Sequence, residues 1–454
     1  MAGDDRRVEV DEHEELVQRV AAVDVAKASG KVCTRVPHDT RPGKRVTRVW
    51  EVPATTTAIC ELADHLLAQG VERVVVESTS DYWRPWVYLL GARGLVVWLV
   101  NARDVKHLPG RPKTDTIDAV WLAKLNERGM LRASFIPPAE IRELRDLTRL
   151  RTDLTAERSR HKQRVEKLLE DALIKLSVVA TDIFGVSGRA MLEALIAGQR
   201  DPKVLAGLAR GRLRVKHAAL VEALTGRFSD HHARLARMLL DQVDGLTSQI
   251  EALTGLIEEA IAAIPAALPP PVDPEDRSGP GDGAPGPASR PLGAVDRLDE
   301  VTGIGRHTAQ TIIAEVGLNM AQFATPGHLV SWAKIAPRTL QSGARTRAGS
   351  TGKGNPYLRG ALGEAAMAAA KTDTFLGERY RRLVRRRGKL KALVAIARSI
   401  LVIVWHLLAD PSARYHDLGA DYHTRRIDTQ RKTRTLVRQL EALGHTVTLH
   451  PAAA

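Results

Sequence analysis

Short apolar runs near the N-terminus constrain the fold of this chain most. Residues 56–69 carry apolar side chains at helical spacing and end at Gly70, and residues 82–90 also predict a helix. Such helices would alternate with strands, and continuous apolar strands in that alternation are typical of an α/β layer with a mostly parallel core. The predicted strands are 20–25, 32–36, 45–52, 71–77 and 95–100.

Acidic residues stand at the ends of two of these strands. Asp24 and Glu77 would lie at strand carboxyl ends, where open α/β sheets place their sites. Asp115 and Asp118 begin a predicted helix and, three residues apart, share one side of it. Alone, such a pair is usually a helix cap and a first-turn acid. The ordered set of four fits an RNase H or RuvC-like nuclease core that holds two divalent ions, with Mg²⁺ as the expected metal.

The charge balance indicates a polyanionic partner. The 454 residues include 67 Lys and Arg against 53 Asp and Glu, a formal net charge of +14, which favours nucleic acid over a membrane surface. Cys33 and Cys60 are the only cysteines, so a disulfide framework and a thiolate zinc site are excluded. The N-terminus is charged where a signal peptide would be apolar, and polar residues interrupt the longest apolar run, 396–408. We therefore expect a cytoplasmic protein without a membrane partner.

The rest of the chain predicts helical segments and a linker. A heptad pattern over 229–264 places Val243 and Ile250 in one position and Leu246 and Leu253 in the other, which favours a two-stranded coiled coil. Its partner could be a second chain or the long helix predicted over 140–176 of the same chain. The expected organisation is a disordered leader (1–19), the α/β domain (20–138), a helical coiled-coil region (139–264), a Pro- and Gly-rich linker (265–293), a mainly α domain (294–409) and a basic tail (410–454).

Candidate phosphate-binding residues follow the linker. Gly303 and Gly305 belong to a helix-hairpin-helix pattern, in which backbone N–H groups face a phosphate, although a plain Gly-rich turn would read the same. Ser342 is predicted in a polar, Gly-flanked loop among cations, where its hydroxyl could act as a nucleophile, but sequence identifies no neighbouring base. The other expected nucleic-acid contacts are Lys113, Arg345, Arg347, Lys353, Arg359, Arg385 and Arg386.

Taken together, these motifs resemble the IS110-type transposases, also described as DEDD transposases or RNA-guided bridge recombinases. Ser80 stands where the family commonly has glycine after Glu-Ser-Thr, and Ala344 follows Gly343 where a second small residue is common; neither difference removes a proposed catalytic residue. The resemblance rests on Val23-Asp24-Val25-Ala26-Lys27, Glu77-Ser78-Thr79, Lys113-Thr114-Asp115 with Asp118-Ala119, Thr302-Gly303-Ile304-Gly305, Gln341-Ser342-Gly343 and Lys353-Gly354-Asn355.

The resemblance implies a RuvC-like domain with metal-binding acids at Asp24, Glu77, Asp115 and Asp118, a coiled-coil middle, and a C-terminal transposase domain in which Ser342 forms a covalent bond to DNA. It further implies donor and target DNA as substrates, an element-encoded bridge RNA that selects them, and a dimer or tetramer in the nucleoid of a bacterial cytoplasm. The residues alone leave two alternatives: a metal-dependent nuclease resembling a Holliday-junction resolvase, in which water attacks, and a non-catalytic nucleic-acid scaffold.

Overall fold

The computed structural model describes residues 17–78, 80–101, 115–270, 291–337, 339–343, 345–425 and 429–449. These residues form two compact units, one that ends at Ile136 and one that begins at Pro137. Lys113, nearly all of the predicted leader and the central part of the predicted linker lie outside the described residues. The expected domain boundaries stay predictions.

The first unit is built on a five-stranded mixed sheet. Its elements are β1 (Val20–Val25), β2 (Ser29–Pro37), β3 (Arg45–Pro53), α1 (Thr56–Ala68), β4 (Arg73–Glu77), α2 (Trp83–Ala92), β5 (Val97–Val100) and α3 (Asp115–Glu127). The strand order is β3-β2-β1-β4-β5, in which β1, β4 and β5 run parallel and β2 is antiparallel to both of its neighbours. This arrangement is consistent with the predicted RNase H-like α/β fold.

Helices cover both faces of this sheet. Val23 and Val76 belong to an apolar cluster with residues of α1 and α2. Ala22 and Val75, their neighbours along the same strands, belong to a second cluster with Ala119 and other residues of α3. Because successive side chains of a strand point to opposite faces, α1 and α2 lie on one face of the sheet and α3 on the other.

The second unit is mainly helical over its described residues. Its elements are α4 (Ala139–Asp171), α5 (Leu176–Val179), α6 (Val186–Ile196), α7 (Pro202–Gly207), α8 (His217–Leu224), α9 (Asp230–Ala262), α10 (Ala294–Asp299), α11 (Arg306–Val316), α12 (Pro326–Trp332), β6 (Thr339–Ser342), β7 (Arg345–Ala348), α13 (Pro356–Ala369), α14 (Phe375–Arg387), α15 (Lys389–Ala409), α16 (Tyr422–Arg425) and α17 (Thr429–Ala442). Strands β6 and β7 form an antiparallel hairpin.

Two 33-residue helices, α4 and α9, pack against each other in this unit. The predicted heptad residues Val243, Leu246, Ile250 and Leu253 of α9 are buried. Helix α9 therefore has a partner helix within its own chain, which is one of the two alternatives left open by the heptad pattern. A coiled coil between chains stays a prediction.

The core of the C-terminal helices extends onto this helix pair. Leu144 of α4 and Ile257 of α9 belong to the same apolar cluster as residues of α10 to α15. Helix α15 is long and apolar enough to cross a membrane by length and composition, but Ile396 and Ile400 on it lie in this cluster. It is the central core helix of this part of the unit. The predicted linker begins with an ordered 3₁₀ turn, Pro265–Ala267.

Candidate active site

Two acids meet at one end of the sheet. Strands β1 and β4 pair in parallel with Val23 opposite Val76, so the next residues, Asp24 and Glu77, are neighbours on adjacent strands. Each acid lies two positions after a residue that faces α3 (Ala22 and Val75), and side chains two apart in a strand share a face. Both carboxylates are therefore directed to the face that α3 covers, at the carboxyl ends of their strands.

The far end of α3 is fixed where β1 and β4 begin. Asn126 is fully buried; its Nδ2 donates to the carbonyl oxygens of Ala21 (3.1 Å) and Arg73 (3.2 Å), and its Oδ1 accepts from Arg73 Nε (2.7 Å). Glu127 pairs with Arg35 and Arg45, both at 2.7 Å. These bonds set the position of α3 along the sheet.

The length of α3 matches the distance along β1 from its anchored end to the strand-end acids. The rise from Asp118 to Asn126 is about 12 Å at 1.5 Å per residue, and β1 spans about 10 Å from Ala21 to Asp24. If the axis of α3 runs along the strands, Asp118 in the first turn reaches the level of Asp24 and Glu77.

The donor chemistry of these acids suits a hard divalent cation, because carboxylate oxygens are the ligands that Mg²⁺ and Ca²⁺ prefer. Glu77 is only 7% exposed, whereas Asp24 and Asp118 are half-buried. Among the described side chains, no group of three or more His, Cys, Asp or Glu is spaced to hold a metal ion. The side chain of Asp115, the fourth predicted ligand, lies outside the described residues.

Ser342 is the last residue of β6, at the turn of the two-stranded hairpin. It pairs with Arg345 of β7, and Gly343 after it has a positive φ of 56°. The segment predicted as a polar loop therefore forms a hairpin. The sequence did not predict its strands because their residues lack the apolar alternation by which strands are recognised. Arg345 and Arg347 on β7 are exposed and, two apart, share one face. The side chain of Ser342 lies outside the described residues.

A buried carboxylate braces the chain that follows this hairpin. Glu315 of α11 is fully buried and accepts from Arg149 Nε (2.7 Å) and Nη2 (2.9 Å) and from Asn355 Nδ2. It also forms an ion pair with Arg145, whose Nε lies 3.3 Å away and donates to the Ala314 carbonyl oxygen at 3.0 Å. Asn355 Oδ1 caps α13 by accepting from the amides of Tyr357 and Leu358. We call Arg145, Arg149, Glu315 and Asn355 the Glu315 network.

Tyr357 extends this network along α4. Its hydroxyl donates to Asp153 at 2.9 Å, and burial followed by this bond raises the pKa of the phenol. The bond to Glu315 raises the pKa of Arg149, against the opposing effect of burial. The spacing of Arg145, Arg149 and Asp153 places all three on one side of α4.

The predicted glycine turn is present between α10 and α11. Gly303 has a positive φ of 92°, and a Cβ atom there would come within 2.3 Å of the Ala365 carbonyl oxygen. Gly305 caps α11 and would meet nothing within 4 Å. Four other predicted contact residues, Lys353, Arg359, Arg385 and Arg386, are exposed, the last two in the final turn of α14.

Comparison with protein families agrees with these features. Residues 21–174 match a model described as a DEDD transposase of the IS110 type, and residues 295–381 match one described as a transposase of the IS116/IS110/IS902 family. The two matches together cover more than half of the chain. The chain belongs to the IS110 family of transposases. None of the curated proteins matches it.

As an IS110-family transposase, the chain is an enzyme that acts on DNA, and a DEDD transposase domain depends in general on divalent metal ions. The first matched segment contains Asp24, Glu77, Asp115 and Asp118, and the second contains Ser342. Sequence reasoning missed the Glu315 network. The network was not predictable because partners of Glu315 lie 166 and 40 positions away in sequence. The one signal in the sequence was a charged residue in the otherwise apolar end of α11.

Proposed function

We propose that this transposase breaks and rejoins DNA through Ser342, with Mg²⁺ bound by Asp24, Glu77, Asp115 and Asp118, and that an element-encoded bridge RNA guides it. The observation that carries the proposal is the meeting of Asp24 and Glu77 at the sheet end over which α3 begins. Two strand acids and acids from a following helix could together hold the two divalent ions that stabilise the attacking and leaving oxygens of a phosphodiester displacement.

Asp24, Glu77 and Asp118 would hold the metal from different elements of the fold. Bound Mg²⁺ would supply Lewis-acid stabilisation of charge on phosphate oxygens. Asp24 and Glu77 project from adjacent hydrogen-bonded strands, so their spacing is rigid. Asp118 projects from a helix whose register Asn126 fixes. The half-buried Asp24 and Asp118 leave the site accessible to a phosphate.

The serine step exchanges one phosphodiester linkage for another, so no ester bond is lost. The Ser342 oxygen forms a bond to phosphorus, the bond from phosphorus to a deoxyribose oxygen breaks, and the serine proton passes to a base or to the leaving oxygen. A new deoxyribose hydroxyl then attacks phosphorus, the bond from phosphorus to the Ser342 oxygen breaks, the serine regains a proton as the hydroxyl loses one, and the strands are joined. The exposed Arg345 and Arg347 on the neighbouring strand would stabilise the phosphate charge.

Selection of the donor and target DNA is proposed to come from base pairing with the RNA. Phosphate contacts from arginines such as Arg385 and Arg386 hold nucleic acid in place but carry no sequence information. A guide RNA can read sequence by pairing while the protein contacts the backbone. We also propose a homo-oligomer, which the exposed apolar residues Leu235, Met238 and Leu256 of α9 support.

The test uses the protein purified after coexpression with the noncoding sequence of its element. Copurified RNA is sequenced, and radiolabelled DNA duplexes matching its loops serve as substrates. We expect a labelled protein–DNA band on a denaturing gel with Mg²⁺ and none with EDTA. Ser342→Ala should abolish the band, whereas Ser350→Ala, a change at an exposed serine just beyond β7, should keep it.

The alternatives give different results in this assay. A resolvase-like nuclease would cleave without a covalent band, and its Ser342→Ala variant would cleave at the wild-type rate. If the protein is a non-catalytic scaffold, Asp118→Asn should leave strand exchange unchanged. Asp81→Asn, an exposed acid of the same unit, is the matched control and should keep full activity. If the copurified RNA is only nonspecific cellular RNA, the proposed guide RNA is contradicted.

A further inference from the structure

Lys334 has a backbone conformation that lysine rarely adopts. It follows the end of α12 with a positive φ of 55°, a position at which helices usually place glycine. The left-handed conformation costs a non-glycine residue about 1–2 kcal/mol. Glycine would make the same turn without this strain, so the fold alone gives no reason for a lysine here. Strained residues that persist are commonly part of a functional site.

A neighbouring loop packs directly on this lysine. A Cβ atom at Gly354 would come within 2.4 Å of the Ala333 carbonyl oxygen, and one at Gly352 within 3.3 Å of Lys334 Cβ. Arg359 Nη1 donates to the Gly352 carbonyl oxygen at 2.9 Å. Two glycines and one arginine bond thus hold the loop against Lys334.

Lys334 and Arg359 line one cavity of about 170 Å³, far above the roughly 10–15 Å³ that one water needs. Neither cation forms an ion pair in the part of the chain that the structure describes. The rest of the lining is mostly aliphatic and includes Ile335, Leu362, Met367, Leu393 and Val394. Met367 is half exposed. Cations without an ion-pair partner beside an apolar wall suit a ligand that has an anionic group at one end and a large, weakly polar remainder.

The cavity lies at the base of the serine hairpin. Ile335 in its lining precedes β6, and Thr351 in its lining follows β7. Thr339 pairs with Ala348 at the open end of the hairpin, and Ser342 with Arg345 at the turn. The strands span about 10–13 Å at 3.3 Å per residue, a length that corresponds to a few nucleotides of DNA.

We propose that this cavity binds one nucleotide of the DNA strand that Ser342 attacks, a few nucleotides from the scissile phosphate. Lys334 and Arg359 hold its phosphate, and the aliphatic wall receives its sugar and base. Among the described lining residues, Thr351 is the one uncharged polar side chain, so the lining has few groups that could select a ribose 2′-hydroxyl, and the occupant that we assign is DNA. This inference rests on the proposed function.

Lys334→Gly separates binding from folding. Glycine removes the cation and relieves the backbone strain, so the melting temperature should stay equal or rise. Fluorescence anisotropy of labelled dT12, with the full chain over a salt series, should show an affinity loss of about three- to tenfold and a salt slope smaller by about 0.7, the value for one single-strand phosphate contact. Lys203→Ala, at an exposed lysine of α7, should change neither.

A second measurement locates the base itself. Photocrosslinking of dT12 that carries one 5-iododeoxyuridine should label peptides containing Met367 or Leu393. The proposal is overturned if Lys334→Gly binds dT12 as the wild type does, if the wild type does not bind dT12, or if the crosslinks avoid the cavity. Loss of affinity confined to rU12 would assign the cavity to RNA and also overturn it.

These results are independent of the serine chemistry, because dT12 binding requires no cleavage. If Ser342→Ala still forms the covalent band, the proposed nucleophile is wrong while the cavity result stands. If dT12 binding ignores Lys334 while the band depends on Ser342, the cavity proposal alone fails.

Discussion

Glu315 is the buried carboxylate whose removal should destabilise the second unit most clearly. In Glu315→Gln the side-chain volume is nearly kept, but Arg145 and Arg149 lose the buried charged carboxylate that they share. Removing one partner of a buried ion pair typically costs 3–5 kcal/mol. Arg149 is 31% exposed and Arg145 16%, so water partly replaces the lost bonds. We therefore expect the low end, about 3 kcal/mol.

The assay is differential scanning calorimetry of the full chain. For a unit of this size, each kcal/mol lowers the melting temperature by about 2 °C, so the transition of the second unit should fall by about 6 °C. Glu364→Gln, at an exposed residue of α13, is the matched control and should shift it by less than about 1 °C. Arg149→Gln should cost less in the Glu315→Gln background than in the wild type. Equal melting temperatures for Glu315→Gln and Glu364→Gln would show that the Glu315 network does not stabilise the second unit.

Three further predictions test other parts of the account. Gly303→Ala should lower the free energy of unfolding by more than about 2 kcal/mol, because of the positive φ and the clash with the Ala365 carbonyl oxygen. Gly305→Ala should lower it by less than about 1 kcal/mol. Equal losses for the two variants in urea unfolding would contradict this prediction. Burial raises the pKa of Cys33 to about 11. At pH 8 a thiol reagent should therefore modify Cys60 in the native protein and Cys33 only after unfolding. Rapid modification of both thiols in the native protein would contradict this prediction. Asn126→Ala should destabilise the first unit by about 2–3 kcal/mol, because it leaves buried polar groups of β1 and β4 without their hydrogen bonds. DNA cleavage should fall as well. An unchanged melting temperature of that unit would show that Asn126 does not hold α3 in place.

The first unit was largely predictable from its sequence. Apolar strands alternating with amphipathic helices predict the layer, and the positions of Asp24 and Glu77 follow because each acid directly ends an apolar run. These are local patterns, with period two in strands and 3.6 in helices. The anchoring of α3 by Asn126 was not predictable, since its partners on β1 and β4 are far away in sequence.

The second unit was less predictable where polar residues decide the structure. The heptad pattern of α9 gave its buried side but not the identity of its partner, which is α4 of the same chain. The strands of the Ser342 hairpin are short and polar, so no alternation indicated them. Lys334 carries no sequence signal for its positive φ, because residue type alone predicts that conformation only for glycine and, less often, asparagine or aspartate.

The origin of the oxygen at each new DNA junction distinguishes attack by Ser342 from attack by water. Recombination is run with cognate DNA and the copurified RNA in heavy-oxygen water, and the junction phosphates are analysed by mass spectrometry. Direct exchange through Ser342 predicts no heavy oxygen at the junctions and a nucleotide-modified peptide that contains Ser342 in trapped reactions. Heavy oxygen in the product phosphates, together with an unmodified Ser342 peptide, would show that water attacks and would contradict the account.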